Sequence, residues 1–236
     1  MLRIVMDSKC HQTIRDAGVE VTHYGPNASR AGEFQGKRLI GLRDALHALN
    51  YKFDLVDLED RDWIDAAVLI IAGRANPVSF TNTKLNKISE FSKGGDGLLL
   101  MGNHPNAFVT PQNQVSQRLN LPVTFQMAEG NSPGYNLLPH EISKGCESIY
   151  IRRFCRLAIE NDPIASVIAK HGPTSLGDFA AAIEPGVGHS RLVVVGSAGH
   201  IASLDDSDND LFSVASNAKW TLNMIVWLST PEQKNA

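Results

Sequence analysis

Apolar residues in the first part of the chain form short runs that predict alternating strands and helices. Leu2 to Met6 is a short apolar run, which predicts a buried first strand that ends at Asp7. Helical spacing, at intervals of 3, 4 and 3, follows at Leu39, Leu42, Leu46 and Leu49. The stretch from Tyr51 to Leu58 alternates as a strand does. These segments predict one β-α-β unit.

Two continuous apolar runs come next, and each predicts a strand that is covered on both faces. They are Val68 to Ala72, closed by Gly73, and Leu98 to Met101. The intervening segment predicts a helix with its apolar face at Leu85, Ile88 and Phe91. Ser79 or Thr81 can cap its start, and Gly94-Gly95 predicts a left-handed end. Strands and helices that alternate in this way predict a doubly wound, mainly parallel sheet.

The apolar pattern in the second half of the chain predicts shorter strands and two helices. The strands are Ser148 to Ile151, Ile164 to Ala169, Phe179 to Ile183 and Leu192 to Val195. The turn residues from Pro185 to Gly188 predict a close antiparallel return, so we expect an antiparallel extension at the edge of the sheet. Gln112 to Leu119 predicts a short helix, and Leu211 to Leu228 predicts a final one. Because no linker or composition shift divides the chain, we expect one domain over residues 1–236.

Composition excludes several classes of partner. A formal net charge of -3 and scattered Lys and Arg residues argue against nucleic acid. Three cysteines without CxxC spacing indicate neither a disulfide framework nor a structural zinc site. The start of the chain lacks the pattern of a signal peptide, and no apolar run reaches the ~20 residues that cross a bilayer. We therefore expect a cytoplasmic protein that contacts neither nucleic acid nor membrane.

Three segments, taken in order, carry a resemblance to a known family. They are the strand Ile4 to Asp7 with its His-containing loop, the segment Gly94 to His104, and the late strand Gly188 to Ser197. Together they resemble the class I glutamine amidotransferase-like superfamily, in particular its uncharacterised bacterial branches related to trehalose-utilisation proteins. The resemblance implies a flavodoxin-like α/β fold with a doubly wound, mainly parallel sheet and an antiparallel edge extension.

Catalytic members of this family carry a nucleophilic cysteine in the turn after the central strand. The corresponding turn here is Gly102-Asn103-His104-Pro105, which contains no Cys, Ser or Thr. The resemblance therefore implies the fold without the glutaminase reaction. Cys10, next to His11 in the first loop, is a less favoured candidate for a reactive thiol, and Cys146 and Cys155 are expected to be inert.

Polar residues follow several of the predicted parallel strands at their carboxyl ends. Ligands of open α/β sheets bind outside these ends, so the residues are expected to border one crevice. His104 and Asp7 are the catalytic candidates. The ligand-binding candidates are His11, Arg74, Asn103 and His200. Arg74 suits an anion, since its guanidinium can bind one through two hydrogen bonds.

Alternatives to ligand binding stay open at this point. A hydrolase or lyase, with or without metal, would use His104 as general base near Asp7 and His200. A divalent ion could be held by His11, His104 and His200 with Asp7 or Asp205, but no HxH or HExxH spacing supports this, and neither metal nor cofactor is expected. A structural assembly subunit is the third alternative. The expected partner is a small polar molecule or a protein, and a homo-oligomer is left open.

Overall fold

A computed structural model describes residues 1–7, 14–15, 19–20, 31–58, 63–73, 79–102, 109–126, 135–151, 154–172, 177–201 and 211–230. The helices are α1 Ala31–Ala48, α2 Asn82–Lys93, α3 Thr110–Arg118 and α4 Asn217–Ser229, with 3₁₀ turns at Glu141–Ser143 and Gly199–Ile201. The first six strands are β1 Leu2–Asp7, β2 Ile14–Arg15, β3 Val19–Glu20, β4 Tyr51–Val56, β5 Val68–Ile71 and β6 Gly97–Met101. The other six are β7 Val123–Gln126, β8 Tyr135–Leu137, β9 Arg156–Ile159, β10 Ala165–His171, β11 Asp178–Ile183 and β12 Leu192–Val195.

Five strands form the parallel half of the main sheet, in the order β4-β1-β5-β6-β12. Every residue of β5, β6 and β12 is buried, as expected of strands that helices cover on both faces. The continuous apolar runs of the sequence therefore predicted these strands correctly.

An antiparallel extension continues the sheet beyond β12 through β11, β10 and β8. The predicted close return between β11 and β12 is present, with a further bridge between Gly186 and His189. Strands β7 and β9 pair with each other, and β9 contacts β11 through Leu157 and Asp178. The predicted mainly parallel sheet with an antiparallel edge is confirmed.

Helices cover both faces of the parallel half and enclose two apolar clusters. One cluster contains residues of α1 and α4, including Leu42 and Trp220, and the other contains residues of α2 and α3, including Ile88 and Val115. Alternate residues of each strand contribute to opposite clusters, as the two-residue period of a strand requires. The sheet is doubly wound.

Helix α2 begins and ends at the residues that its sequence indicated. The Thr81 hydroxyl accepts a hydrogen bond from the Lys84 N–H, which satisfies one free donor of the first turn. Gly95 then takes a φ of 99°, a conformation that disfavours residues with a Cβ. The strand β6 can consequently start two residues later.

Two local predictions are wrong, and Asn217 explains the first of them. The segment Ser148 to Ile151 is not a strand, and the last helix begins at Asn217 rather than Leu211. The Asn217 side chain bonds the N–H and C=O of Tyr150 at 2.9 and 2.7 Å, and also the C=O of Leu211 at 2.7 Å. Because this buried amide satisfies the Tyr150 backbone groups, no strand partner is needed there.

No helix among the described residues is both long and apolar enough to cross a bilayer.

Candidate functional site

The carboxyl ends of the parallel strands form the edge at which the sequence predicts a crevice. Strand β1 ends in Asp7, and β5 is followed by Ala72 and Gly73. Strands β6 and β12 are followed directly by Gly102 and Gly196. The carboxyl ends of the parallel strands therefore carry an acidic residue at β1 and glycines at β6 and β12.

The strand order reverses between β1 and β5. Helix α1 follows β1 and packs on one face, whereas α2 follows β5 and packs on the other. Diverging connections leave a gap above the carboxyl ends of the two strands, which is the usual ligand position in an open α/β sheet. Asp7 lies at this switch point.

Asp7 is a carboxyl residue that is completely buried. Its residue is 0% exposed, and in the sheet it stands opposite Val56 of β4. An ionised carboxylate is stable in such a position only when donors or cations surround it, and it accepts hydrogen bonds without donating any. Asp57, half-buried directly after β4, brings a second carboxyl residue to the same edge.

The other part of the edge is closed by the segment Phe154–Cys155. The Cys155 N–H donates to the Gly196 carbonyl at 2.7 Å, and the Cys155 thiol donates to the same oxygen at 3.1 Å. Phe154 belongs to the apolar cluster of α1 and α4, and Cys155 to that of α2 and α3. The segment therefore passes across the strand ends from one face of the sheet to the other.

Two glycines make this close passage possible. A Cβ at position 102 would overlap the Cys155 sulfur, and a Cβ at position 196 would overlap the Cys155 carbonyl oxygen. Gly102 and Gly196 are thus required by packing, because any side chain would displace the segment. The turn that resembles the nucleophile elbow of catalytic amidotransferases begins at Gly102, where buried protein leaves no room for a side chain.

An aromatic stack holds Phe154 in place. The ring of His171 lies 3.7 Å from that of Phe154, centroid to centroid, and 5.7 Å from that of Phe179. His171 is 4% exposed, and this burial lowers its pKa from 6.5 to about 4. The ring is therefore neutral at physiological pH.

The six predicted site residues divide between described and undescribed parts of the chain. Asp7 lies at the end of β1, as predicted. His200 lies in the 3₁₀ turn after β12, where it is buried with its ring 5.2 Å from that of Trp220 in α4. The remaining four, His11, Arg74, Asn103 and His104, lie outside the described residues. Their convergence with Asp7 stays a prediction.

The described cysteines are poor nucleophiles. Cys155 is 0% exposed. Cys146 is half-buried, and burial raises the pKa of its thiol although the positive charge of Lys219 opposes the shift. Cys10 lies outside the described residues.

Within the described ranges, no three His, Cys, Asp or Glu side chains gather as a metal ion would require. The metal hypothesis also involves His11 and His104, with Asp205 as the alternative to Asp7, and these three residues fall outside those ranges. It therefore stays untested.

A surface groove of about 450 Å³ is lined by residues from Leu137 to Cys146, and no residue at the carboxyl ends of the parallel strands lines it. His140 caps the 3₁₀ turn beside it, since its Nδ1 accepts from the Ile142 N–H at 3.1 Å. Burial lowers the pKa of His140, although Glu184 and Glu141 act in the opposite direction. Its ring meets Trp227 edge-on at 5.6 Å, which gives it a structural role.

Sequence reasoning missed the Phe154–Cys155 segment and Asp57. The segment follows no strand or motif, and its contact with Gly196 joins residues 41 positions apart. A signal was present in the glycines that directly follow two buried strands, because such glycines often mark a close backbone approach. Asp57 lay inside the predicted strand from Tyr51 to Leu58, whereas the observed strand β4 ends at Val56 and leaves Asp57 directly after it.

Comparison with known proteins shows the fold. Neither a family model nor a curated protein matches the sequence. Among solved structures, the mmIFT52 N-terminal domain is similar over 97% of this chain and 98% of its own, with a TM-score of 0.68 and 16% identity. A ThuA-like protein from Bacteroides uniformis is similar over 96% and 91%, with a TM-score of 0.59 and 9% identity.

A GMP synthase-like protein from Thermoplasma acidophilum is also similar. The match covers 96% of this chain and 93% of that protein, with a TM-score of 0.54 and 10% identity. At such identities the similarity concerns the fold. The chain has the flavodoxin-like, class I glutamine amidotransferase-like fold.

Proposed function

We propose that this chain is a non-glutaminase domain of the amidotransferase-like fold that binds a small polar molecule, or a polar group of a protein partner, at the carboxyl ends of β1 and β5. The relation to trehalose-utilisation proteins and a cytoplasmic location belong to the same proposal. Asp7 is the residue on which binding depends.

The buried carboxyl of Asp7 at the switch point carries this proposal. A buried carboxylate is stable only where hydrogen-bond donors or cations pair with it, so Asp7 makes this part of the strand ends suited to a ligand that carries such groups. Because a carboxylate accepts hydrogen bonds, the favoured ligand presents donors, such as the hydroxyls of a polyol or an ammonium group. Arg74, His11 and His200 remain the predicted companions of Asp7.

Two observations argue against the family's amide hydrolysis. The elbow turn from Gly102 to Pro105 contains no nucleophile in its sequence. The Phe154–Cys155 segment covers Gly102, and the Cys155 thiol beside it is fully buried. A glutaminase needs an exposed, activated thiol next to backbone N–H donors.

The hydrolase or lyase alternative depends on His104 as general base. No observation on the described residues favours it over binding, and it stays a prediction of the sequence. The assembly alternative likewise stays a prediction.

The Asp7→Asn variant tests the proposal. Amide chemical shifts of the ¹⁵N-labelled full chain would be followed during titration with polyols, amino sugars and amino acids. We expect shifts at Asp7, Ala72 and Gly73, and at least tenfold weaker binding by Asp7→Asn, because a charged hydrogen bond is lost.

Asp44→Asn is the matched control, since Asp44 is an exposed carboxylate on α1 with a side chain 60% accessible. Circular dichroism would establish that both variants fold. Equal affinities for the two variants, or shifts confined to the groove from Leu137 to Cys146, would contradict the proposal.

A further inference from the structure

The outer strand β4 has one edge to which no other described strand is hydrogen-bonded. On its inner side it pairs in parallel with β1 over six residues, from Tyr51 to Val56. Such an edge presents unpaired N–H and C=O groups to any chain that can align with it, and natural proteins usually interrupt or shield edges of this length. Strand β4 contains neither proline nor a bulge.

The direction of each backbone group along β4 follows from the sheet. The Arg3 carbonyl accepts from the Ala67 N–H on the β5 side, so the alternate residue Ile4 faces β4. Ile4 stands opposite Phe53, and in a parallel pair it bonds to the two neighbours of that residue, Lys52 and Asp54. The N–H and C=O groups of Tyr51, Phe53 and Leu55 consequently point outward.

The side chains of β4 are symmetric about Phe53. Tyr51, Phe53 and Leu55 lie on the α1 face, where they are partly buried against the apolar cluster. Lys52 and Asp54 lie on the opposite face, one residue to either side of Phe53. The strand thus has an apolar face and a face that carries one charge of each sign.

Asp54 is held in its ionised form by its neighbours. Burial alone would raise the pKa of Asp54, but hydrogen bonds and positive charges from Lys52 and Arg3 outweigh it and hold the pKa below its usual value. The Lys52 ammonium lies 2.9 Å from the Asp54 carboxylate and its side chain is 57% exposed. The ionised Asp54 carboxylate can therefore accept a second ion pair from a lysine across the edge.

We propose that the chain forms a two-fold homodimer through antiparallel pairing of the outer edges of β4, centred on Phe53. Phe53 then stands opposite its own copy, and Tyr51 stands opposite Leu55 of the second copy. All three outward-facing residues find hydrogen-bonding partners. Lys52 stands opposite Asp54 of the second copy, in the position where antiparallel side chains are closest.

Charge selects this register over its neighbours. A register in which the strands shift by two residues in one direction places Lys52 opposite Lys52, and a shift in the other direction places Asp54 opposite Asp54. Like charges directly opposite each other destabilise a strand pair. A shift by an odd number brings outward groups opposite inward ones, so the ladder cannot form. The second copy of this chain is therefore the occupant that the edge fits best.

Analytical ultracentrifugation of the full chain over a range of concentrations tests the proposal. We expect a monomer–dimer equilibrium. Lys52→Asp should raise the dimer dissociation constant at least tenfold, because two attractive pairs become repulsive. Lys93→Asp makes the same charge change at an exposed residue at the end of α2, and it should leave the constant unchanged.

Cross-linking tests the register independently of affinity. Residues paired on the two-fold axis have Cα atoms about 5.5 Å apart, within the roughly 4.4–6.8 Å of a disulfide. In a background with Cys10→Ser and Cys146→Ser, we expect Phe53→Cys to form a covalent dimer on oxidation. Val187→Cys, at a residue 99% exposed in the β11–β12 return, should not.

Three results would each overturn the proposal. They are a monomer at every concentration, a dimer that Lys52→Asp and Lys93→Asp affect equally, and a dimer in which Phe53→Cys does not cross-link. None of them bears on ligand binding at Asp7, so the two proposals fail separately.

Discussion

His171 illustrates how burial sets the protonation state of a single residue. Its ring lies between Phe154 and Phe179, and only 4% of the residue is exposed. The pKa of about 4 follows because the apolar surroundings penalise the imidazolium form. The histidine therefore serves as an aromatic packing residue near neutral pH.

This burial predicts a pH dependence of stability. The unfolded chain protonates His171 near pH 6.5, whereas the folded chain resists protonation down to about pH 4. The free energy of unfolding should therefore fall as the pH drops through this window, by up to about 3 kcal/mol. Urea unfolding at several pH values measures the effect.

His171→Phe should flatten this part of the pH profile, because no titrating group remains in the stack. His47→Gln, at an exposed position near the end of α1, should retain the wild-type slope. An unchanged slope in His171→Phe would assign the pH dependence to other groups.

The Phe154–Cys155 segment shows how an irregular element decides the shape of a regular edge. It is neither helix nor strand, but it closes the ends of β6 and β12 and links the clusters on the two faces of the sheet. Its position depends on the absence of side chains at residues 102 and 196.

A double-mutant cycle tests this packing. Gly102→Ala should destabilise the protein by about 1–3 kcal/mol, because the new methyl group overlaps the Cys155 sulfur. Cys155→Ala removes that sulfur, so the double variant should be more stable than the sum of the single effects implies. Urea unfolding of the four proteins gives the coupling energy.

Gly196→Ala provides the matched control for this cycle. Its methyl group would overlap the backbone oxygen of Cys155, which Cys155→Ala does not remove. We expect Cys155→Ala to reduce the loss of stability caused by Gly102→Ala. It should not reduce the loss caused by Gly196→Ala. Additive effects at both positions would show that the segment moves aside.

At the scale of the whole molecule, one sheet joins all the layers. The parallel half and the antiparallel extension are continuous through β12 and β11. Both apolar clusters draw on the same strands, since Ile4 and Met6 face one cluster and Val5 faces the other. Neither cluster can lose its strands while the other remains intact.

The chain should therefore unfold in one transition, as a single domain does. Trp63 lies in the α2 and α3 cluster, and Trp220 lies in the other. Variants that keep one of these as the sole tryptophan should each show coincident urea transitions by fluorescence and far-UV circular dichroism. Separate transitions in either variant would indicate two domains.

The elements that the sequence predicted well are those with a short repeating pattern. Strand β12 and the buried runs of β5 and β6 were recognised because burial on both faces leaves a continuous apolar run. Strands β7 and β9 were missed, since Val123–Gln126 and Arg156–Ile159 are short and their partners are distant in sequence. Asp7 was predicted from its position at a strand end, and His11, Arg74, Asn103 and His104 remain predictions of the same kind.

The sequence by itself determined the doubly wound layers, because apolar periodicity is local and each strand or helix records which faces it buries. It also determined that the elbow turn lacks a nucleophile. Tertiary structure alone decided that Phe154 and Cys155 close the strand ends and that Asn217 holds Tyr150. These contacts join residues 41 and 67 positions apart, and no local pattern encodes which distant backbone groups a side chain will meet.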